Sequence, residues 1–408
     1  MKRQLLIAWT LMLLGTATGV AQKRVYIPED LRGMNLESDT SKWCWRRSAE
    51  TRDLIFMWER GFGSDLQNPP RLEGKPMAFN LPVLMERVQS FYTFFRDTLG
   101  FANKPMSKAD RYKMMVMVMY SLDGTAYGGT YDNYIGALWV APNRIQDKTM
   151  NCMAHELGHS FQSQIMADSV GQCWGGTGFF EMASQWMLWQ VNPWWLRDEN
   201  YHFEAFKTLT HKAFLSLDNI YHSPYVLQWW SDLRGRKCIA ELFRQDRIGE
   251  DPVDTYKRLY GLSQKDFCRE LLLGYQHLVD FDFNHARTET RPYACTWQTP
   301  LDTLGDGWYR PKTTLEDYGF HIIPLPTRQP LTVKVKGRNV MWALVGILPD
   351  GEIVYGKPRK GRLPAITAGF ARCFAVVMGA PTTHQQLPMP QRDESPKLRQ
   401  YPYEIHVK

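Results

Sequence analysis

The chain has 408 residues and a formal net charge of +7, which is a mild excess for that length. Its Lys and Arg residues are scattered, with no run dense enough to follow a phosphate backbone, so nucleic acid is excluded as a partner. The aromatic content of 13%, with 15 Trp, favours packed cores; a glycan-binding platform is the alternative interpretation. The length exceeds one ordinary core and predicts two or three domains.

The amino terminus has the pattern of a secretory signal. Two basic residues precede an apolar stretch from Leu5 to Leu14, and Ala21 stands where signal peptidase reads a small side chain. Residues 1–21 are therefore predicted to be a cleaved signal peptide. No other segment approaches the roughly 20 apolar residues of a bilayer span. We expect a secreted or periplasmic protein without stable membrane insertion.

Residues 22–145 are predicted to form a mixed-sheet lobe. Apolar side chains recur at helical spacing in one segment, and short apolar runs typical of buried strands occur in three others. A glycine-rich stretch, AYGGTYDN, is interpreted as a mobile turn before the last strand. The predicted elements are a strand at Leu54–Trp58, a helix from Leu81 to Leu99, a strand from Tyr112 to Leu122 and a strand from Tyr134 to Val140.

The stretch HELGHSFQ, from His155 to Gln162, places two imidazoles four residues apart. On a helix these side chains project from one face and can chelate a single metal ion. Glu156 lies beside them, where its carboxylate can deprotonate a metal-activated water. The apolar spacing predicts a helix from about Thr149 to Met166, with Asp147 or Thr149 as its cap.

A catalytic zinc site needs a third protein ligand and one open position. Glu181 follows His159 by twenty-two residues, on a second predicted helix that opens after the glycine loop from Gly175 to Gly178, with Thr177 as a candidate cap. We expect Glu181 to be the third ligand. The alternative ligands are Asp168, Glu199, His202 and Glu204.

These residues resemble the gluzincin metallopeptidases, which combine HExxH with a glutamate on the next helix. The form HExGHxxQ, with Gly158 and Gln162, is most similar to the enhancin-like branch, whose members cut mucins and other glycoproteins. The whole chain is also similar to uncharacterised secreted bacterial proteins that share HELGHSFQ and a downstream FFE. The resemblance implies a zinc cofactor and a protein or glycoprotein substrate, with a glycan as an additional partner.

In the thermolysin pattern, an aspartate four residues after the zinc glutamate orients a ligand histidine. Here that position is Gln185, whose amide oxygen is a weaker acceptor of an imidazole N–H. Gln162 is assigned the same supporting role.

The resemblance also implies direct attack by metal-activated water, with Glu156 as general base. A second electrophile should stabilise the oxyanion. The segment IYHSPYVLQWW offers Tyr221, His222 and Tyr225, of which Tyr225 or His222 is preferred.

Gluzincins bind an extended substrate along the sheet edge above the metal. Gly136, Ala137 and Leu138 look similar to the sequence of that edge, so they are predicted to bind substrate main chain. The strong apolar run equally favours an interior strand, and the two interpretations stay open.

Residues 146–408 are predicted to form three successive regions that differ in secondary structure. Residues 146–286 are predicted to contain the metal-site helix and a helical lobe, and residues 287–315 a connector. Alternation from Leu331 to Gly337 and apolar runs at Val340–Ile347 and Phe374–Met378 predict antiparallel strands in residues 316–408. The expected fold class is α+β, a zincin-like core followed by a β-sandwich-like domain.

Seven cysteines leave at least one unpaired in an exported chain. A bridge between Cys152 and Cys173 is conceivable, although the low cysteine density does not indicate a disulfide scaffold.

The sequence therefore predicts a secreted zinc-dependent endopeptidase. The alternative is a non-catalytic glycan- or protein-binding protein with a degenerate zincin core. Glu156 argues against that alternative, because a structural zinc site has no use for a base and is usually closed by four protein ligands.

Overall fold

A computed structural model describes residues 22–102, 106–171, 178–327, 330–359, 369–386 and 397–408. The predicted signal peptide lies outside these residues. The α+β prediction is confirmed, since a mixed sheet, a set of helices and separate antiparallel sheets follow one another along the chain. Within the described ranges, no helix is both long and apolar enough to cross a membrane.

A mixed sheet forms the amino-terminal part. Its elements are strands β1 (Arg24–Val25), β2 (Ser48–Glu50), β3 (Leu54–Trp58), β4 (Tyr112–Val118), β5 (Ala126–Tyr131) and β6 (Ile135–Val140), with helices α1 (Glu29–Arg32) and α2 (Leu81–Thr93). The strand order is β2-β3-β4-β6-β5, and β1 pairs with β4 off this path. Strands β3, β4 and β6 run parallel, while β2 and β5 are antiparallel edge strands.

The three apolar runs form strands, as predicted, because parallel strands covered on both faces have near-continuous hydrophobic sequences. Strand β4 ends at Val118 rather than Leu122, and β6 begins at Ile135 rather than Tyr134. The predicted helix from Leu81 divides into α2 and a π-helical turn at Phe94–Thr98. The glycine-rich stretch was wrongly interpreted as a turn, since most of it is the edge strand β5. Glycine has a low intrinsic propensity for strands, but the pairing of β5 with β6 overrides that propensity.

The middle of the chain is helical, as predicted from Phe179 to about Phe283. The helices are α3 (Asn151–Ala167), α4 (Gly178–Val191), α5 (Trp195–Asp198), α6 (Asn200–Leu209), α7 (Tyr225–Arg234), α8 (Cys238–Gln245), α9 (Pro252–Leu259), α10 (Gln264–Val279) and α11 (Arg287–Thr290). The predicted cap of α3 is wrong. Met150 is its N-cap residue, in the left-handed region with φ 51°, while Asp147 accepts hydrogen bonds from the backbone N–H and the hydroxyl of Thr149.

The carboxyl-terminal part is built of antiparallel strands. They are β7 (Leu301–Gly305), β8 (Trp308–Pro311), β9 (Leu315–Glu316), β10 (Phe320–Leu325), β11 (Val333–Gly337), β12 (Val340–Ile347), β13 (Ile353–Tyr355), β14 (Arg372–Gly379), β15 (Gln400–Tyr401) and β16 (Tyr403–Val407). Two four-stranded sheets have the orders β10-β14-β12-β13 and β11-β16-β8-β7. Strands β7 and β8 fall within the segment expected to be a connector, so part of that segment belongs to a sheet.

A cluster of buried side chains that includes Trp342 joins the two sheets as in a β-sandwich. The first of these sheets also packs against the helices. Tyr275 of α10 stacks on Phe320 with ring centroids 3.9 Å apart, and the side-chain amide of Gln276 donates to the carbonyl of Leu344 at 2.8 Å. The β domain therefore supports the helical part.

The six described cysteines are unpaired. Four of them, Cys44, Cys238, Cys268 and Cys373, are buried. Cys152 has no disulfide partner among the described residues, and Cys173 lies outside them. Burial raises the pKa of the Cys152 thiol to about 12, so this side chain is not a ready thiolate ligand.

A buried ion pair ties the start of the described chain to the sheet. Lys23 Nζ lies 2.5 Å from Asp53 Oδ1, and both side chains are almost fully buried. Arg52 and Arg96 also contact the Asp53 carboxylate, at 2.7 and 3.4 Å. Burial alone would raise the pKa of Asp53, but the hydrogen bonds from Lys23 and Arg52 outweigh it and hold that pKa below its usual value.

Replacing Asp53 with Asn should lower the free energy of unfolding by about 3 kcal/mol, because it leaves the buried Lys23 ammonium without its counter-charge. The matched control is Asp302→Asn, which breaks an exposed pair with Lys312 and should change stability by less than about 0.5 kcal/mol. Thermal and denaturant unfolding followed by fluorescence measure both variants. Equal unfolding midpoints for the two would contradict the assigned role of the Lys23 pair.

Candidate metal centre

Three ligand-type atoms from helices α3 and α4 converge on one point. His155 Nε2 and His159 Nε2 are 3.1 Å apart, and Glu181 Oε2 lies 3.0 and 3.1 Å from them. The i, i+4 spacing stacks the two imidazoles on one face of α3, and α4 crosses that face with Glu181 in its first turn. The sequence-predicted ligand set is therefore brought together. Thr177 and the rest of the preceding glycine loop lie outside the described residues, except for Gly178, which is the first residue of α4.

The other nitrogen of each imidazole is held by an amide. His155 Nδ1 lies 2.8 Å from Gln185 Oε1, and His159 Nδ1 lies 3.0 Å from Gln162 Oε1. The orientation of Gln162 is fixed, because its Nε2 donates to the carbonyl of Phe180 and to the hydroxyl of Ser184. His159 Nδ1 is therefore the donor of its hydrogen bond, and Gln185 presents its Oε1 to His155 in the same way. Both Nε2 atoms are left with lone pairs that face each other and a carboxylate oxygen.

Such an arrangement requires a cation, either a proton or a metal ion, among the three acceptors. Zinc binds imidazole nitrogen and carboxylate oxygen at about 2.0–2.2 Å, so tetrahedral ligands lie about 3.3 Å apart. The observed separations of 3.0–3.1 Å are close to that edge length. Two neutral imidazoles and a carboxylate are also a donor set that zinc prefers. The residues present therefore fit the metal.

Gly158 explains why the two helices approach so closely. A Cβ atom at this position would lie 2.8 Å from Ser184 Oγ and 3.3 Å from Ser184 Cα. A larger side chain would separate α3 from α4 and carry Glu181 away from the histidines. The glycine of the HExGH pattern is thus required for the close packing that brings Glu181 to the two histidines.

The edge strand β5 lies directly over Glu156. A Cβ atom on Gly128 would lie 1.9 Å from the carbonyl oxygen of Glu156, so the backbones of β5 and α3 touch. The backbone N–H of Gly128 faces the Glu156 carboxylate and favours its charged form, so this N–H lies on the side of β5 that does not pair with β6. Burial raises the pKa of Glu156, although the two histidines oppose the rise.

Gly136, Ala137 and Leu138 are not at a sheet edge, so their prediction as substrate-binding residues is wrong. Strand β6 pairs with β4 on one side and β5 on the other. The N–H of Gly136 donates to Gln164 Oε1 at 2.8 Å, and the carbonyl of Ala137 accepts from the Ser160 hydroxyl at 2.7 Å. These residues hold α3 against the sheet, and the free edge belongs to β5.

Neither of the preferred oxyanion residues, Tyr225 and His222, lines the cleft that contains His155, His159 and Glu181. Tyr225 is 2% exposed and packs among aromatic rings of the helical core, including those of Phe206 and Trp189. Its hydroxyl has no hydrogen-bond partner within the described part of the chain. His222 reaches the cleft only through His202, with 2.7 Å between their Nδ1 atoms. The structure therefore contradicts the sequence-based preference for Tyr225 or His222 as the oxyanion residue.

Tyr221, the third candidate of that segment, lines the cleft instead. Its ring centroid lies 6.0 Å from that of His155, with 31° between the planes, and the side chain is 40% exposed. The cleft has a volume of about 630 Å³, and its walls include β5, α3, α4 and the start of α6. Among the alternative ligands, Glu199 and His202 line its wall, but the converging set contains neither.

A second group of ligand-type side chains, Asp251, Asp254 and His384, lies at the start of α9. Its atoms are already used within the protein. Asp251 caps α9 and contacts His384 Nε2 at 2.7 Å, while Asp254 accepts from Gln386 at 2.8 Å. These hydrogen bonds account for the cluster without a metal ion.

Residues 17–408 match the sequence profile of DUF6055, a family of unknown function, and the chain belongs to that family. No curated protein matches the chain. Among solved structures, the ZmpB metallopeptidase from Clostridium perfringens is similar at 13% identity and a TM-score of 0.35, over 83% of this chain and 67% of that chain. A likeness of that degree carries no inference about activity, so the function has to be inferred from the geometry of the metal centre.

Replacing Gly128 with Ala should push β5 off α3 and destabilise the protein by about 1–3 kcal/mol, as overpacking does. Gly124→Ala is the matched control. Gly124 lies in the connection just before β5, and a Cβ atom there would meet nothing within 4 Å. Thermal unfolding of the two variants measures the difference. If the Gly128→Ala variant unfolded at the same temperature as the Gly124→Ala variant and the wild type, β5 would not lie against Glu156.

Proposed function

We propose that the protein is an exported zinc-dependent endopeptidase that hydrolyses peptide bonds of proteins or glycoproteins. The observation that carries the proposal is the convergence of His155 Nε2, His159 Nε2 and Glu181 Oε2 beside a carboxylate, Glu156, that the ligand set does not use. Export is inferred from the signal-peptide pattern, and the glycoprotein substrate from the HExGHxxQ resemblance.

Three protein ligands favour a catalytic over a structural site. Structural zinc is closed by four protein ligands, whereas catalytic zinc keeps one position for water or substrate. When bound, zinc polarises the substrate carbonyl and lowers the pKa of water. The amide oxygens of Gln185 and Gln162 hold the two imidazoles in the tautomer that this ligand set needs.

Glu156 is positioned to act as the general base. It follows His155 on α3, lines the cleft and faces the N–H of Gly128. Burial raises its pKa, which moves the carboxyl group towards the range where it can both accept and return a proton. Glu156 then takes the proton of the attacking water and delivers it to the leaving amine.

Tyr221 is the side chain best placed to stabilise the oxyanion. Its ring lies beside the His155 imidazole on the cleft wall, and its partial exposure leaves it within reach of a substrate. A phenol O–H donates a hydrogen bond to a carbonyl oxygen as negative charge develops there.

The free edge of β5 provides the main-chain recognition that an endopeptidase needs. The N–H of Gly128 faces the cleft, and alternation along the strand turns the backbone groups of Ala126 and Thr130 to the same side. An extended peptide can pair with these groups irrespective of its side chains. Such pairing would lay the peptide across the metal centre.

Glu156→Gln should lower kcat by about 10²–10⁴-fold while the zinc content stays that of the wild type, because the amide cannot accept the proton. His159→Ala should lose both zinc and activity. A chelator should abolish wild-type cleavage, and added zinc should restore it. Cleavage of a mixed peptide library and of mucin, with metal analysis of each protein, measures these effects. Equal activity of wild type and Glu156→Gln, or no cleavage by the zinc-loaded wild type, would favour the binding-protein alternative.

Tyr221→Phe should lower kcat by about 10²-fold with little change in KM, since one oxyanion donor is lost. Tyr225→Phe is the control, because that hydroxyl has no hydrogen-bond partner in the described part of the chain and lies away from the cleft. Steady-state kinetics of both variants decide between the two tyrosines. A larger loss for Tyr225→Phe would restore the preference drawn from the sequence.

A further inference from the structure

Arg144 stands at the end of the cleft where β5 begins. It closes the short 3₁₀ turn Pro142–Arg144 that follows β6, and its Nε donates to the carbonyl of Gly124 at 2.5 Å. Gly124 lies two residues before β5. This hydrogen bond fixes the guanidinium next to the entry of the edge strand while its two Nη groups remain available.

The Arg144 guanidinium faces the cleft. Arg144 lines the cleft together with Cys152 and Tyr201. Burial raises the pKa of both the Cys152 thiol and the Tyr201 hydroxyl, and the positive charge of Arg144 opposes both rises. The charge therefore acts on groups from α3 and α6, on two sides of this end of the cleft.

Arg144 is also the one Lys or Arg among the described residues that line the cleft, and it makes no ion pair with another described residue. The nearby carboxylate of Glu199 is occupied. Its oxygens accept from Asn151 Nδ2 at 3.1 Å and from Trp195 Nε1 at 2.8 Å, and His202 Nε2 lies 3.6 Å away. A planar guanidinium with two unused Nη groups matches an incoming carboxylate in bidentate geometry.

The direction of the edge strand decides which part of a substrate reaches Arg144. Antiparallel pairing is the more stable arrangement, and it would run the peptide from Tyr131 towards Ala126. Because Gly128 lies over Glu156, residues after the cleaved bond would then extend towards Gly124 and Arg144.

We propose that Arg144 binds a substrate carboxylate on the carboxyl-terminal side of the cleaved bond, so that the enzyme prefers acidic substrates at this end of the cleft. The inference rests on the proposed peptidase function and adds the chemical class of its substrate. The carboxylate can belong to an Asp or Glu side chain or to the free carboxyl terminus of a peptide.

Binding of peptide hydroxamates to the zinc-loaded full chain tests this without relying on turnover. A hydroxamate at the amino end anchors on the metal, and the peptide that follows occupies the carboxyl-terminal side of the cleft. The probes are HONH-succinyl-Leu-Glu-NH2, the corresponding Leu-Gln-NH2 compound and the Leu-Gln compound with a free carboxyl terminus. Isothermal titration calorimetry at low and high salt measures their affinities.

The wild type should bind at least one carboxylate probe about 10-fold more tightly than the Leu-Gln-amide probe, and high salt should reduce that ratio. Arg144→Gln should bring the ratio close to 1 while the Leu-Gln-amide affinity stays unchanged. Arg144→Lys should keep part of the preference. Arg338→Gln, which removes an exposed charge from the β domain, should keep all of it. The probe that gains affinity identifies the side-chain or the terminal carboxylate.

Equal affinities of the three probes for the wild type, or a preference that survives in Arg144→Gln, would overturn the role of Arg144 while the metal site stands. No binding of any hydroxamate to the wild type would instead overturn the metal site, and the role of Arg144 with it. Melting temperatures of the variants should match that of the wild type, which separates lost recognition from lost folding.

Discussion

The constraint on which the cleft depends is electrostatic repulsion between three side-chain atoms. Three electron-rich atoms, on His155, His159 and Glu181, are held about 3 Å from one another, although each would repel the others without a positive charge between them. On the far side of the imidazoles, the Oε1 atoms of Gln185 and Gln162 contact the two Nδ1 atoms, so the Nε2 atoms are the ones directed at the shared point. The surrounding fold is what keeps these atoms together, and the repulsion is the reason a divalent cation would be bound there.

Helix α3 transmits this constraint to the rest of the protein. On one side it is fastened to β6 through Ser160 and Gln164, and on the other it crosses α4 at Gly158, where no side chain separates the backbones. Strand β5 then covers Glu156. The helix is therefore clamped between a sheet and a helix. Small residues at the contacts allow the three converging ligand-type atoms, the Glu156 carboxylate and the free strand edge to lie within one cleft.

The sequence predicted the parts that depend on local periodicity. The i, i+4 spacing of the histidines and the continuous apolar runs of the sheet need little tertiary information. The sequence predictions are wrong where long-range contacts determine the structure. Strand β5 exists because β6 pairs with it, despite its glycines, and Gly136 is interior for the same reason. The turn before α7 determines that Tyr221 faces the cleft and Tyr225 the core, which spacing alone cannot distinguish. The left-handed Met150 at the start of α3 likewise has no local sequence pattern.

The unpaired cysteines have a practical consequence. None of the six described thiols is cross-linked, and four are shielded inside the protein, so the stability of this part of the molecule comes from packing and hydrogen bonds. Folding of these regions therefore does not wait for an oxidising machinery, and their conformation should be the same in reducing and in oxidising solution. A non-chelating reductant can accordingly be present throughout purification without loss of structure in these regions.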